Sequence, residues 1–91
     1  MLHGNTKRIV VGSGSAEDYA YSIVRLVGRG TRKFRLQAVG ENICKLAETV
    51  AMLPTIFPGE VRVVEWRIDS KKIRGERRSV LEVEIVLEPP S

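Results

Sequence analysis

Apolar and polar residues alternate near the end of the chain, and this alternation predicts a strand. The apolar positions are Leu81, Val83, Ile85 and Leu87, and the acidic residues Glu82, Glu84 and Glu88 lie in the alternate register. A period of two places the apolar set on one face of a sheet. The preceding run, 61–68, is rich in β-branched residues and predicts the neighbouring strand.

The apolar positions of the 61–68 run change parity between Val63 and Val64. A β-bulge predicts such a change, and so does burial of both faces through a partner subunit. Trp66 has apolar neighbours, so we expect it in the core or at a dimer interface.

A strand and then a helix are predicted in the first third of the chain. Residues 7–11 form a short β-branched run that ends at a Gly-Ser loop, 12–15. Ser15 and Asp18 have the spacing of a capping box, so the helix should begin near Ala16. Its apolar face comprises Tyr19, Ala20, Ile23, Val24 and Val27, and Gly28 and Gly30 provide the stop.

A second strand and helix follow in the same order. Phe34, Leu36 and Ala38 alternate up to Gly40, and the second helix shows an apolar stripe of Ile43, Leu46, Ala47 and Val50. Pro54 and Pro58 should end this helix, because proline lacks an amide hydrogen. The fold class is therefore α/β: a two-layer β-α-β-α-β-β sandwich, with a mixed sheet and two helices on one face.

Length and composition favour one globular domain over residues 1–91, with flexible tails at 1–6 and 89–91. Apolar residues make up 43% of the chain and charged residues 29%, which is typical of folded proteins. The single cysteine, Cys44, excludes an intramolecular disulfide, favours a cytoplasmic location, and is expected buried or half-buried. No apolar run approaches the ~20 residues of a membrane span.

The 71–78 segment carries a concentrated positive charge between the last two strands. Its cations are Lys71, Lys72, Arg74, Arg77 and Arg78, five of the fifteen in the chain. Less Glu76 they give +4, which equals the net charge of the whole chain. A basic hairpin arm of this kind predicts contact with a polyanion, most commonly nucleic acid. The alternative is a solvated hairpin whose charges discourage edge pairing.

The sequence offers little for catalysis or metal binding. His3 is the only histidine, and one cysteine with one distant histidine does not make a zinc site. Glu82, Glu84 and Glu88 are expected to pair with arginines of a neighbouring strand, such as Arg62. We therefore expect no enzyme activity, no cofactor and no metal. A second basic cluster, Arg29, Arg32, Lys33 and Arg35, is expected to be a solvated edge.

Particular residues, together with the order of elements, resemble the Alba family of small basic nucleic-acid-binding proteins of archaeal chromatin. The resemblance covers nearly the whole chain and rests on Gly12, Tyr19, Gly30, the stretch 40–48 and the run 67–70. It implies a homodimer whose two arms reach along the grooves of a duplex. The resemblance further implies contacts between dimers, a heterodimer with a paralogue and association with the chromosome. Phe57 matches an aromatic position used between neighbouring dimers, although covering the core is an equal alternative.

This sequence keeps some of the binding residues typical of the family and lacks others. Lys45 aligns with the signature lysine, Asn42 is a further candidate contact in the same stretch, and the arm keeps its five cations. Ser13 and Gly14 stand where typical members carry a lysine pair, and Glu41 replaces the signature arginine. The loop with Ser13 and Ser15 could bind phosphate through free amides and hydroxyls, or Ser15 could serve only as a helix cap. The resemblance thus implies DNA or RNA binding with a weakened body surface. A ribonucleoprotein or protein-interaction scaffold whose arm docks an acidic partner is the alternative.

Overall fold

Residues 6–88 are described by the computed structural model of the chain. The strands are β1 (Thr6–Val11), β2 (Lys33–Val39), β3 (Val61–Ile73) and β4 (Glu76–Leu87), and the helices are α1 (Ala16–Gly28) and α2 (Ile43–Ile56). A short 3₁₀ turn, Gly40–Asn42, precedes α2. The expected flexible tails lie outside the described residues, except for Thr6, which begins β1.

The four strands form one mixed sheet in the order β1-β2-β4-β3. β1 pairs with β2 in parallel, and β4 pairs antiparallel with β2 on one side and with β3 on the other. β1, β2 and β3 therefore all run in one direction. Their carboxyl ends meet at one edge of the sheet, and the β1–α1 loop, the 3₁₀ turn and the β3–β4 hairpin all emerge there.

Both helices cover one face of the sheet, as the sequence predicts. The register aligns Phe34 with Ile85, Leu36 with Val83 and Ala38 with Leu81, so these side chains share a face. All six are buried together with Ala20 and Ile23 of α1 and Leu46, Val50 and Leu53 of α2. We call this covered side of the sheet the helix side and the other the open side.

Helix α1 has the predicted boundaries because both ends are capped. Ser15 Oγ accepts from the Asp18 amide and the Asp18 carboxylate accepts from the Ser15 amide, which completes the capping box. At the other end the Gly30 amide donates to Val27 and the Thr31 amide to Leu26. This is a Schellman arrangement, and it requires the positive φ of +99° that Gly30 adopts.

Helix α2 departs from the sequence prediction in two ways. Pro54 lies inside the helix, which continues to Ile56 and closes with the Phe57 amide on Leu53 oxygen at 2.7 Å. Proline costs one hydrogen bond there, and burial of Leu53 holds the final turn in place. The buried stripe also differs, because Ala47 is exposed whereas Thr49 is fully buried and donates to the Lys45 carbonyl oxygen.

Strand β3 contains the predicted bulge, since its register against β4 shifts between Val63 and Glu65. After the shift Trp66 lies opposite Val83 and Ile68 opposite Leu81, on the helix side. The helices do not cover this edge strand, so Trp66 is 50% exposed and Ile68 75% exposed. The expectation that Trp66 lies in the core of the single chain is therefore wrong. Cys44 is exposed as well, contrary to the expected half-buried thiol.

Candidate nucleic-acid interface

The basic segment is not a loop between two short strands. β3 and β4 continue through it as a paired ladder from Asp69 opposite Val80 to Ile73 opposite Glu76. Only Arg74 and Gly75 form the connection, with φ of +53° and +82°. Two positive φ values in a two-residue loop are those of a type I′ turn, which matches the twist of a hairpin. The arm, residues 69–80, is thus an ordered two-stranded ribbon.

Pairing across the ribbon sorts its cations onto two faces. Lys72 lies opposite Arg77, in register with Ile68 and Leu81 on the helix side. Lys71 lies opposite Arg78, in register with the open side. Since successive side chains of a strand alternate, each face of the arm carries two of the five cations. Arg74 occupies the turn at the tip.

The base of the arm touches the body at the carboxyl end of β2. Arg78 approaches Gly40 so closely that a Cβ on this glycine would lie 3.4 Å from the guanidinium. An open cleft of about 520 Å³ lies between Val39 on the body and Ile73 and Arg74 on the arm. The cleft follows the open side of the ribbon.

The β1–α1 loop is held by Tyr19 of α1. Its hydroxyl oxygen accepts from the Gly12 amide at 2.7 Å and from the Gly14 amide at 3.1 Å. Ser15 contributes its hydroxyl and its amide to the capping box. Most of the polar groups that could cradle a phosphate are therefore already engaged, which favours the helix-cap alternative for Ser15. Ser13 is exposed at the tip of the loop.

Lys45 connects α2 to the same loop. Its Nζ donates to the Gly12 carbonyl oxygen at 2.6 Å, so the loop positions the ammonium beside the carboxyl end of β1. Asn42 is half-buried and does not cap α2 through its side chain. Glu41, one residue earlier, is exposed. The structure thus brings Ser13, Ser15, Asn42 and Lys45 to the end of the molecule from which the arm extends.

The open side of the sheet is covered by ion pairs. Arg35 pairs with Glu84 at 3.6 Å, and Arg67 pairs with Glu65 at 3.1 Å and with Glu82 at 3.8 Å. The charges of Arg35 and Arg67 are therefore compensated within the chain, whereas Arg8 on the same face donates to the neutral Gln37 side chain. The expected pairing of strand carboxylates with arginines is confirmed, including Arg62 with Glu88 at 3.7 Å.

The second basic cluster lies at the opposite end of the sheet from the arm. Arg29 and Arg32 follow α1, and Lys33 begins β2. All three are exposed, and Arg35, the fourth member, pairs with Glu84, so the solvated edge stays a prediction. Phe57 is half-buried against the core.

Other functional groups add little to this picture. Within residues 6–88, no group of three His, Cys, Asp or Glu side chains is arranged to hold a metal ion. Among the described helices, none has the length and apolar character required to cross a bilayer.

Sequence reasoning found the cations of the arm but missed two structural contacts, the Tyr19 hydroxyl on the loop amides and the Lys45 ammonium on Gly12. Both join residues that are separated in sequence, and neither follows from periodicity. Periodicity had placed Tyr19 only on the apolar face of the first helix, and Lys45 had been singled out by the family resemblance alone.

Comparison with known proteins identifies the relatives of this chain, although no protein-family model matches it. It is 34% identical to the DNA/RNA-binding protein Alba of Pyrobaculum neutrophilum over 84 residues, which cover 88% of this chain and 91% of that protein. The Alba protein of Pyrobaculum islandicum is similar to the same extent.

Solved structures share the fold. Alba from Thermoplasma volcanium superimposes with a TM-score of 0.81 at 20% identity, over 88% of this chain and 99% of that one. ALBA1 from Trypanosoma brucei gives a TM-score of 0.74 at 19% identity, over 97% of this chain and 73% of that one. With the element order, the signature stretch around Lys45 and the similarity to the Pyrobaculum proteins in agreement, the chain belongs to the Alba family.

Proposed function

We propose that this protein is a non-enzymatic DNA- or RNA-binding protein that acts as a dimer through its basic arms. The observation that carries the proposal is the ribbon of residues 69–80, which presents five cations beyond the helix-covered sheet. The relatives in Pyrobaculum are named for DNA and RNA binding, which supports the same ligand class here. Association with the chromosome or with cellular RNA follows from that ligand class.

Binding through this arm should be largely independent of sequence. Asn and Gln, which pair bidentately with adenine, are absent from residues 69–80, so bidentate base pairing by this arm is restricted to guanine through Arg or Lys. The same long cations also contact phosphates, which fix position without reading sequence. Lys45, Asn42, Ser13 and Ser15 border the same end and form the candidate body contact.

The uncovered edge strand supports dimerisation. Val63, Trp66 and Ile68 expose apolar side chains on the helix side of β3. A long apolar edge strand left in water promotes aggregation, so proteins normally cover it. A second copy of the chain would cover this strand and double the number of arms. Two extensions of this proposal are contacts between dimers, for which Phe57 is the candidate, and pairing with a paralogue. Pairing with a paralogue would supply the cations that this chain lacks at Ser13, Gly14 and Glu41.

A salt titration tests arm binding. Each phosphate contact contributes about 0.9 to the slope of log affinity against log salt. Five arm cations therefore give a slope no steeper than about −4.5 for one arm and about −9 for two. Replacing Arg74, Arg77 and Arg78 by Ala should lower the steepness by at most about 2.7 units per arm.

The matched control removes three cations from the opposite end, with Ala at Arg29, Arg32 and Lys33. This variant has the same net charge as the arm variant and should keep the wild-type slope within about half a unit. Equal losses in both variants would show that only net charge matters. A flat titration of the unaltered protein would remove nucleic-acid binding through the arm and favour the protein-interaction or ribonucleoprotein scaffold.

Competition between matched DNA and RNA, as duplexes and as single strands, identifies the natural ligand. The body surface carries Glu41 in place of a cation, so affinity for a B-form duplex should be modest. An RNA preference would indicate a contact to the 2′-hydroxyl.

A further inference from the structure

The two faces of the arm carry equal numbers of cations but different chemistry. The helix-side face consists of Ser70, Lys72, Arg77 and Ser79, and the open-side face has Asp69, Lys71, Glu76 and Arg78. The helix-side face therefore has a net charge of +2. On the open-side face two carboxylates balance the two cations.

Contacts on the open-side face show how this balance arises. Arg78 pairs with Glu76 at 3.6 Å and packs over Gly40. Lys71 takes part in no ion pair within residues 6–88, but it lies on the same face as Asp69 and lines a small pocket with Asp69, Glu82 and Arg67. A phosphate approaching this face would meet two carboxylates as well as two cations, so its net attraction would be smaller than on the other face.

The helix-side face has no such compensation. Arg77 contacts the neutral Ser70 hydroxyl at 3.4 Å. Within residues 6–88, neither Lys72 nor Arg77 takes part in an ion pair. Ser70 and Ser79 lie opposite each other and add two hydroxyls that can donate to phosphate oxygens.

We propose that nucleic acid lies against only the helix-side face of the arm, where Lys72 and Arg77 contact phosphates, with Arg74 at the tip. Arg78 instead pairs with Glu76 and packs against Gly40 of the body, and Lys71 lies on the same face as Asp69. This inference rests on the proposed function and makes it more specific. It replaces the upper bound of about −4.5 per arm with an expected salt slope of about −2.7, because three cations rather than five engage phosphate. The loss expected on replacing Arg74, Arg77 and Arg78 falls accordingly from the upper bound of about 2.7 units to about 1.8 units, since Arg78 is no longer counted as a phosphate contact.

Two double variants with equal charge test the assignment. Lys72→Ala with Arg77→Ala should reduce the slope by about 1.8 units per arm. Lys71→Ala with Arg78→Ala should change it by less than about half a unit, because those cations are balanced in place. The probe is a labelled mixed-sequence DNA duplex followed by fluorescence anisotropy, titrated around physiological salt, where the Debye length of ~8 Å limits the influence of the far face.

Circular dichroism would show whether loss of Arg78 disturbs the fold. If it does, single-lysine variants replace the two double variants in comparing the faces of the arm. Lys71→Ala and Lys72→Ala then serve as the comparison, since both lysines are exposed neighbours in one strand. Exchanging Lys72 for Arg and Arg77 for Lys should retain the wild-type slope. Equal losses from the two faces would overturn the one-sided assignment while leaving arm binding intact. Absence of any salt-dependent binding by the unaltered protein would overturn both.

Discussion

At the scale of single residues, Tyr19 fixes the shape of the β1–α1 loop. Its hydroxyl oxygen accepts two backbone amides, and its ring lies 3.3 Å from the position of a Cβ on Gly14. The loop also provides the carbonyl that orients Lys45. The Tyr19 hydroxyl therefore influences both stability and the position of a candidate phosphate contact.

Tyr19→Phe should lower the free energy of unfolding by about 1–3 kcal/mol, because two part-buried amides lose their acceptor while the ring remains. Urea denaturation measures the change. Tyr21→Phe is the matched control, since Tyr21 is 66% exposed and should change stability by less than about 0.5 kcal/mol. Equal effects of the two substitutions would contradict the bracing role.

Sequence reasoning at this scale succeeded where a local rule applied. The Ser15 cap and the Gly30 stop follow from short-range chemistry, and both boundaries of α1 are confirmed. It was wrong for Ala47 and Cys44, because small side chains tolerate both exposed and buried positions. Pro54 was misread for a related reason: a proline in the last turn costs one hydrogen bond, and tertiary packing outweighs it.

At the scale of elements, the arm depends on its turn. Arg74 adopts a φ of +53°, in the left-handed region where residues with a Cβ are disfavoured by about 1–2 kcal/mol. A cation at the tip is thus retained at the expense of ribbon stability. Asn-Gly is the preferred sequence for this turn type.

Arg74→Asn should therefore make the ribbon more stable while weakening binding. Hydrogen exchange of the arm amides should slow by about fivefold, which corresponds to ~1 kcal/mol of local stability. The salt slope should fall by at most about 0.9 units per arm. Lys71→Ala, in the ribbon but outside the turn, provides the comparison and should not slow exchange. Faster exchange in Arg74→Asn would show that the turn is not the weak point.

The arm also shows where hydrophobic periodicity stops being informative. Strands of the body bury one face, so alternation reveals them, and the predicted order of elements is confirmed. The strands of the arm hold only two apolar side chains, the half-buried Ile73 and the buried Val80 at the base, which are too few to form an alternating apolar pattern. The sequence therefore predicted the long basic hairpin but located strands only at 61–68 and 80–87, whereas β3 continues to Ile73 and β4 begins at Glu76.

At the scale of the whole molecule, the arm elongates the protein. The radius of gyration is 13.6 Å, whereas a compact chain of this length would give about 12 Å. The longest extent is 46 Å and the shortest 19 Å. The core lies between the helices and the sheet and leaves the apolar side chains of β3 outside it, which is consistent with the proposed dimer that covers this strand.

Ile68→Glu should dissociate that dimer. Two carboxylates related by twofold symmetry would be desolvated at the interface, so the dissociation constant should rise by at least about 100-fold, or ~3 kcal/mol. Mass measurement by light scattering over a dilution series detects this change. Val10→Glu is the control, because Val10 is 62% exposed on the outer strand at the other edge of the sheet. A monomeric unaltered protein, or dissociation by both variants, would count against β3 as the interface.

The apolar side chains of β3 show what sequence predicts at this scale and what it does not. Alternation and the bulge indicated that Trp66 needs cover. They did not indicate whether the helices or a second molecule would provide it, because an apolar pattern records a preference for burial and not the identity of the neighbour.

The position of Trp66 also supplies an optical reporter. The chain has one tryptophan, so its fluorescence comes from a single site on the edge strand. An indole in contact with water emits at longer wavelength than one enclosed by protein. The wavelength of the emission maximum can be followed on dilution of the protein and during titration with nucleic acid. The two series would reveal whether the subunits associate before they bind nucleic acid or at the same time.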